Sequence, residues 1–201
     1  MSLTFKEIYA LMGNLQQRRR ELMVMSKGED WAITAQDNPE VMSVCYAKGW
    51  CASAYNMSVE ECEAVVNVKN GTPFINSAIV HFEEFAYFVK STGFSAGAGP
   101  FAGCTKLERL VFPSTFASTS NAGLIHGCAK KPILVFPRSS MVTLNDGARD
   151  NINTYSSKIY VPDALVNTYK ADTRWGVMSS KIYPISEYDW QDTKVKQYLG
   201  L

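Results

Sequence analysis

The chain has 201 residues, with 20 basic and 19 acidic side chains and a formal net charge of +1, a balance that gives no electrostatic case for nucleic acid or an anionic membrane surface as partner. Apolar residues make up 46% of it, enough for a packed core, yet no apolar run approaches the ~20 residues that a bilayer-spanning helix needs. The N-terminus lacks a signal peptide's order of basic start, apolar run and small-residue cleavage site.

Thr4-Phe5-Lys6-Glu7 has the form of a capping box, and Phe5, Ile8, Leu11, Met12 and Leu15 follow at helical spacing. A helix over residues 3–25 is expected, with more apolar surface than a lone helix leaves wet, so a self-association contact through 3–25 is expected too. Arg18 and Arg19 interrupt the heptad and argue against a long coiled coil. Residues 26–37 are polar and read as a linker. Asn38-Pro39-Glu40 starts a helix, with the proline where its missing N–H costs nothing, and Gly49 is its stop. Ser58-Val59-Glu60-Glu61 is a second capping box and opens a helix to about Val66. Phe82, Phe85 and Phe88 suggest a third helix, His81–Val89.

From Ser91 onward, small polar stretches separate short apolar bursts that end in proline. Residues 101–113 read FAGCTKLERLVFP and residues 125–137 read IHGCAKKPILVFP. Gly103 matches Gly127, Cys104 matches Cys128, and Pro113 matches Pro137. KIYVP (Lys158–Pro162) and KIYPI (Lys181–Ile185) echo the block at similar gaps. Self-similarity at this period marks a leucine-rich-repeat solenoid, in which each turn adds one strand to a parallel ladder. Residues 109–112, 133–136 and 158–161 are then adjacent parallel strands, with Leu110, Leu134 and Ile159 in one buried column. Val111, Val135, Tyr160 and Tyr183 stack on the opposite face and form a candidate binding stripe, unless the N-terminal half folds over it. Pro162-Asp163-Ala164 begins a helix through about Lys170, with Leu165, Val166 and Tyr169 buried and Trp175 beneath. The last residues are polar and expected to fray.

The five cysteines are odd in number and irregular in spacing, with no CxxC pair, which argues against a disulfide framework and a zinc site. Cys104 and Cys128 read as stacked buried residues, close enough in adjacent turns for a disulfide. His126 lies two residues from Cys128, but a repeat turns that thiol inward, so a loop histidine beside a structural cysteine is the expectation. Glu60-Glu61 and Glu83-Glu84 fall in the first turns of predicted helices, where negative charge favours the dipole. No set of nucleophile, base and oxyanion donor emerges, and no cofactor or metal site is expected.

Phe101, Cys104, Leu107, Leu110, Phe112 and Pro113 fit a pattern that resembles the repeat of BspA-type leucine-rich-repeat proteins, which occur on the surface of gut and oral anaerobes and in some of their phages. The second copy has Ile125 and Lys131 at two motif positions and is degenerate. The closing stretch KIYVPDALVNTYKADTRWGVMSSKIYPISEY is similar to the C-terminal cap of such proteins, and the resemblance covers residues 38–188. Relatives often place a calcium loop where this chain has Trp50–Glu61. Here Trp50, Ala52 and Ala54 stand at ligand positions and Tyr55 at the turn glycine, which leaves Ser58 and Glu61. A hard cation needs six or more oxygens. The resemblance therefore implies a helix–loop–helix without an ion, in which Trp50 and Tyr55 pack on neighbouring helices.

These readings predict an α/β solenoid, a short leucine-rich-repeat ladder of parallel strands. Its expected parts are an N-terminal helix and linker (1–37), a small helical, degenerate EF-hand-like region (38–90), the solenoid with its C-terminal cap (91–188) and a polar tail (189–201). By resemblance, the function is a non-enzymatic binding or structural module for a protein or glycan ligand. It would be a phage virion or tail component or, alternatively, a bacterial cell-surface adhesin. Virion or cytoplasm is favoured over the exported cell surface. An enzyme built on Cys128 and His126 is the competing class.

Overall fold

The structure, a computed structural model, describes residues 31–66, 68, 72–95, 97 and 99–201. The helix and self-association contact expected over residues 3–25 lie outside them. The chain divides into two compact units, Met1–Trp31 and Ala32–Leu201, and the second contains the buried core.

Strand β1 (Trp31–Thr34) falls where a polar linker was expected, and it pairs with β2 (Asn56–Ser58) in a two-stranded sheet. Between them runs helix α1 (Pro39–Ala47), with Pro39 in its first turn. Gly49, at φ +66°, takes the left-handed conformation that ends it. Val41, Met42 and Cys45 form its buried face. Helix α2 (Val59–Ala64) is opened by the Ser58 capping box and stops two residues short of the expected Val66.

The region expected to hold a third helix, His81–Val89, is instead strand β3 (His81–Phe82) followed by a 3-10 turn, Glu83–Tyr87. The sequence explains the difference. Phe82, Phe85 and Phe88 recur every three residues, the period of a 3-10 helix and not of an α-helix. All three rings are buried, with neighbouring centroids 5.4 and 5.5 Å apart.

The rest of the chain builds two further parallel sheets. Strands β5 (Arg109–Val111), β7 (Ile133–Val135), β9 (Ile159–Val161) and β10 (Ile182–Pro184) join β3 in the order β10-β9-β7-β5-β3. Strands β4 (Gly93–Phe94), β6 (Ser118–Thr119) and β8 (Thr143–Leu144) form the other sheet, order β4-β6-β8. Phe82, Leu110, Leu134, Ile159 and Ile182 align in one column of the larger sheet, and all are buried. A stack of phenylalanines fills the interior: Phe112 lies parallel to Phe136 at 4.5 Å, and Phe74 to Phe101 at 5.7 Å. Each such ring contributes about 2 kcal/mol by burial. Successive turns approach closely at two glycines. A Cβ on Gly99 would lie 1.7 Å from the Gly123 carbonyl oxygen, and one on Gly103, itself at φ +70°, 1.9 Å from Asn76 Oδ1.

The fold class is therefore a correction. A single-ladder α/β solenoid is not what the described residues form. They make a mixed α/β arrangement of three separate sheets, two of them parallel, with no continuous or closed solenoid sheet. The physical reason is visible in the registers. Paired strands of the larger sheet are offset by 28, 24, 25 and 23 residues, so only one interval carries the sequence repeat. Helix α3 (Asp146–Tyr155) fills the interval before β9. Helix α4 (Val166–Ala171) and the 3-10 turn Trp175–Lys181 fill the one after it. Tyr169 and Trp175 do pack there, 4.9 Å apart, whereas Leu165 and Val166 are only partly buried. The tail is ordered too: Asp192 caps helix α5 (Thr193–Tyr198), and Val195 is buried.

Candidate functional site: the outward face of the five-stranded sheet

Alternation along a strand sends the neighbours of the buried column to the opposite face. The register aligns Val111, Val135, Tyr160 and Tyr183 there, as the candidate stripe requires. It is not an exposed stripe. Val111 and Val135 are fully buried, Tyr160 is 7% exposed and Tyr183 is half-buried. Of the two alternatives, an open stripe or a covered one, the described residues show the covered one.

At Tyr160 the cover is the chain that follows β10. The Tyr188 ring lies 5.1 Å from the Tyr160 ring, and the Arg109 guanidinium sits 5.7 Å above it. Its hydroxyl donates to Glu83 Oε1 at 2.5 Å. Tyr160 belongs to β9, Arg109 to β5, and Glu83 directly follows β3, so this one side chain crosses the face over the intervening β7. Trp190 stands edge-on to Tyr188 at 4.8 Å. The Gln191 amide donates to Glu83 Oε1 (3.4 Å) and the Asp192 amide to Glu83 Oε2 (2.9 Å). Arg109 Nη1 donates to the Asp189 carbonyl at 2.6 Å, and Nη2 lies 3.7 Å from Asp189 Oδ2. Beyond it, Tyr198 of α5 stacks edge-on to Tyr87 at 4.7 Å and donates to Glu63 at 2.7 Å.

The electrostatics follow from burial. Burial, with the bond to Glu83 second, raises the Tyr188 phenol well above the usual range, so it stays a donor. Burial pulls Arg109 down, but its bond to Tyr188 and the neighbouring acidic groups outweigh this and raise it. Glu83 and Glu84 are only 2% and 9% exposed, and neither serves mainly as a dipole partner at a helix start. Glu84 is pushed up to about 8, chiefly by burial. Its side-chain partner among the described residues is Asn38 Nδ2 at 3.4 Å. That nitrogen also donates to the His81 carbonyl at 2.7 Å, so Asn38 ties the head of α1 to β3 instead of capping its own helix.

The residues singled out for chemistry are dispersed and committed to structure. All five cysteines are free and buried, so Cys104 and Cys128 form no disulfide. Cys104 Sγ donates to the Phe74 carbonyl (3.0 Å) and Cys128 Sγ to the Phe101 carbonyl (3.3 Å), each one turn back along the fold. Burial pushes the Cys128 thiol up to about 12. His126 is exposed and packs against Tyr155 at 5.0 Å, so it is no base for that thiol. In the Trp50–Glu61 loop, Glu61 accepts from Ala52 N at 3.0 Å and from Ser58 N at 2.9 Å. Both of its oxygens are spent on loop amides. Trp50 packs on Phe74 and Phe88, at 6.1 and 6.3 Å, and Tyr55 is 47% exposed. Among the described residues, no group of three or more His, Cys, Asp or Glu side chains is placed to hold a metal ion.

Sequence reasoning missed Tyr188, Arg109 and the role of Glu83. The one available signal was a glutamate pair set among Phe82, Phe85 and Phe88, which places charge in a run bound for the core. Comparison with known proteins is silent: no family model, no curated protein and no solved structure matches the chain. Among the described residues, no helix is long and apolar enough to cross a membrane.

Proposed function

We propose that the protein is a non-enzymatic binding or structural module that recognises a protein partner through the outward face of the five-stranded sheet. One observation carries this reading: an aliphatic and aromatic row held in register by parallel strands, with an irregular chain segment seated across it through side-chain contacts. Aromatic anchors with a few polar groups at the rim are the composition of a recognition surface, and here the chain's own Tyr188 engages them. The residue pattern resembling BspA-type proteins supports the same class of activity, surface recognition, and carries no weight here for the architecture.

The competing catalytic reading needs a reactive thiol at Cys128. Its burial, its bond to the Phe101 carbonyl and its raised pKa all oppose thiolate formation. Alkylation of the native protein with iodoacetamide tests the point. We expect all five cysteines to react only as fast as the protein unfolds. Rapid, selective labelling of Cys128 would restore the enzymatic alternative. Probing arrays of short extended peptides and of glycans with the chain then separates the partner classes, and the expectation is capture on aromatic peptides.

A further inference from the structure

We propose that residues 188–192 are a tethered stand-in for an external ligand: the sheet face binds an extended peptide segment of a partner protein, and the chain's own segment occupies that site until displaced. The inference deepens the binding-module reading and rests on it.

The way the segment is held supports this. Residues 189–192 belong to no strand. The Gln191 and Asp192 amides bond a side-chain carboxylate and not a backbone carbonyl of the sheet. The anchors are an aromatic ring with a hydroxyl, a backbone carbonyl and a carboxylate, contributed by Tyr188 and Asp189. This is how a docked peptide is held, by side-chain pockets and a few polar groups.

The receiving groups are placed independently of the segment. Arg109 and Tyr160 stand on strands β5 and β9, and Glu83 leaves β3 beside Val111, so the sheet positions all three. Together they offer an aromatic platform, one cation and one acceptor carboxylate. That set selects a peptide with a tyrosine followed at once by an acidic residue, which is the chemistry of Tyr188-Asp189. The Asp189 side chain is 82% exposed, so the segment is pinned at Glu83 and Arg109 but open to solvent along its outer edge. A competitor can therefore enter by steps instead of waiting for the core to open. A tethered segment acts at an effective concentration of order millimolar, which keeps the site closed to weak binders. The apparent affinity for a partner then falls by the fraction of chains in which the site is open.

The test uses a fluorescein-labelled peptide copying residues 186–201, with the full-length protein and anisotropy as readout. Wild-type protein should bind it weakly, because the tethered copy competes. The Tyr188→Ala/Trp190→Ala protein should bind it about tenfold more tightly or better. Adding Glu83→Gln to that protein should reverse most of the gain. Should the double variant fail to fold, Tyr188→Phe, which removes one hydroxyl, should still raise peptide affinity severalfold over wild type. Equal binding by wild type and every folded variant, or binding indifferent to Glu83→Gln, would overturn the proposal. So would a wild-type dimer in which the 188–192 segments are exchanged, since the face would then be a self-association contact. Fast alkylation of Cys128 would sink the binding-module reading without touching these affinities, so the two failures are distinguishable.

Discussion

Two carboxylates in this protein close two irregular segments, one by bonds local in sequence and the other by long-range bonds. Glu61 accepts amides from Ala52 and Ser58, nine and three residues away, and gathers the loop between α1 and α2. Glu83 accepts Tyr188, Gln191 and Asp192, 105 to 109 residues away, and holds the C-terminal segment on the sheet. The bonds are of the same kind. The settings differ: Glu61 is partly exposed, whereas Glu83 is 2% exposed. A local clasp on a wet loop contributes a modest stabilisation, because water replaces the lost bonds when it is cut. A long-range clasp in a dry site contributes more, because cutting it strands its donors.

Glu84 marks the extreme of that comparison, a buried carboxyl beside the clasp with no clasp of its own. Its folded-state pKa is raised to about 8, above the ordinary carboxyl value of ~4.3. Below the unfolded value both states are protonated and nothing is lost. As pH rises toward 8, the unfolded chain ionises freely while the folded protein must stay protonated, so stability declines through that window. At ~1.4 kcal/mol per unit the loss is on the order of 4 kcal/mol by pH 8. Urea melts from pH 5 to 9 should show this fall in the wild type and a much flatter profile in Glu84→Gln. Matching profiles would mean that water reaches Glu84.

The clasps themselves come next in size. Glu83→Ala strands the Tyr188 hydroxyl and two amides and should cost about 3 kcal/mol in a urea melt. Hydrogen exchange at Gln191 and Asp192 should accelerate more than at β5 and β7. Glu61→Ala should cost about 1 kcal/mol, with any gain in exchange confined to residues 50–61. Equal costs for the two substitutions would break the contrast between wet and dry clasps. The smallest expected effect is that of calcium. Since both Glu61 oxygens already hold amides, excess calcium and a chelator should give the same melting midpoint. A clear rise with calcium would show that the ion can displace those bonds.

Much of the fold was legible because its signals are local. Capping at Ser58 and proline at the start of α1 are satisfied within a few residues, and both appear as read. The match between residues 101–113 and 125–137 located β5 and β7 in register. Alternation then placed Val111, Val135, Tyr160 and Tyr183 on one face. What misled was extrapolation. One exact interval suggested a uniform ladder, but the other offsets differ and helices fill two of them. A period of three in the phenylalanines suggests an α-helix yet suits a 3-10 turn better, and the polar linker and tail yield strand β1 and helix α5.

The sequence by itself determined which residues turn inward and where helices begin, since side-chain alternation and capping depend on neighbours a few positions apart. Only the tertiary structure decided that the stripe is covered, and by which segment. Tyr188, Arg109 and Glu83 lie 79 and 26 residues apart in consecutive order along the chain, and nothing local in any of them encodes the others. Their meeting depends on the stacking of four strands and on the return of the chain after β10, a long-range closure that burial of the sheet face drives.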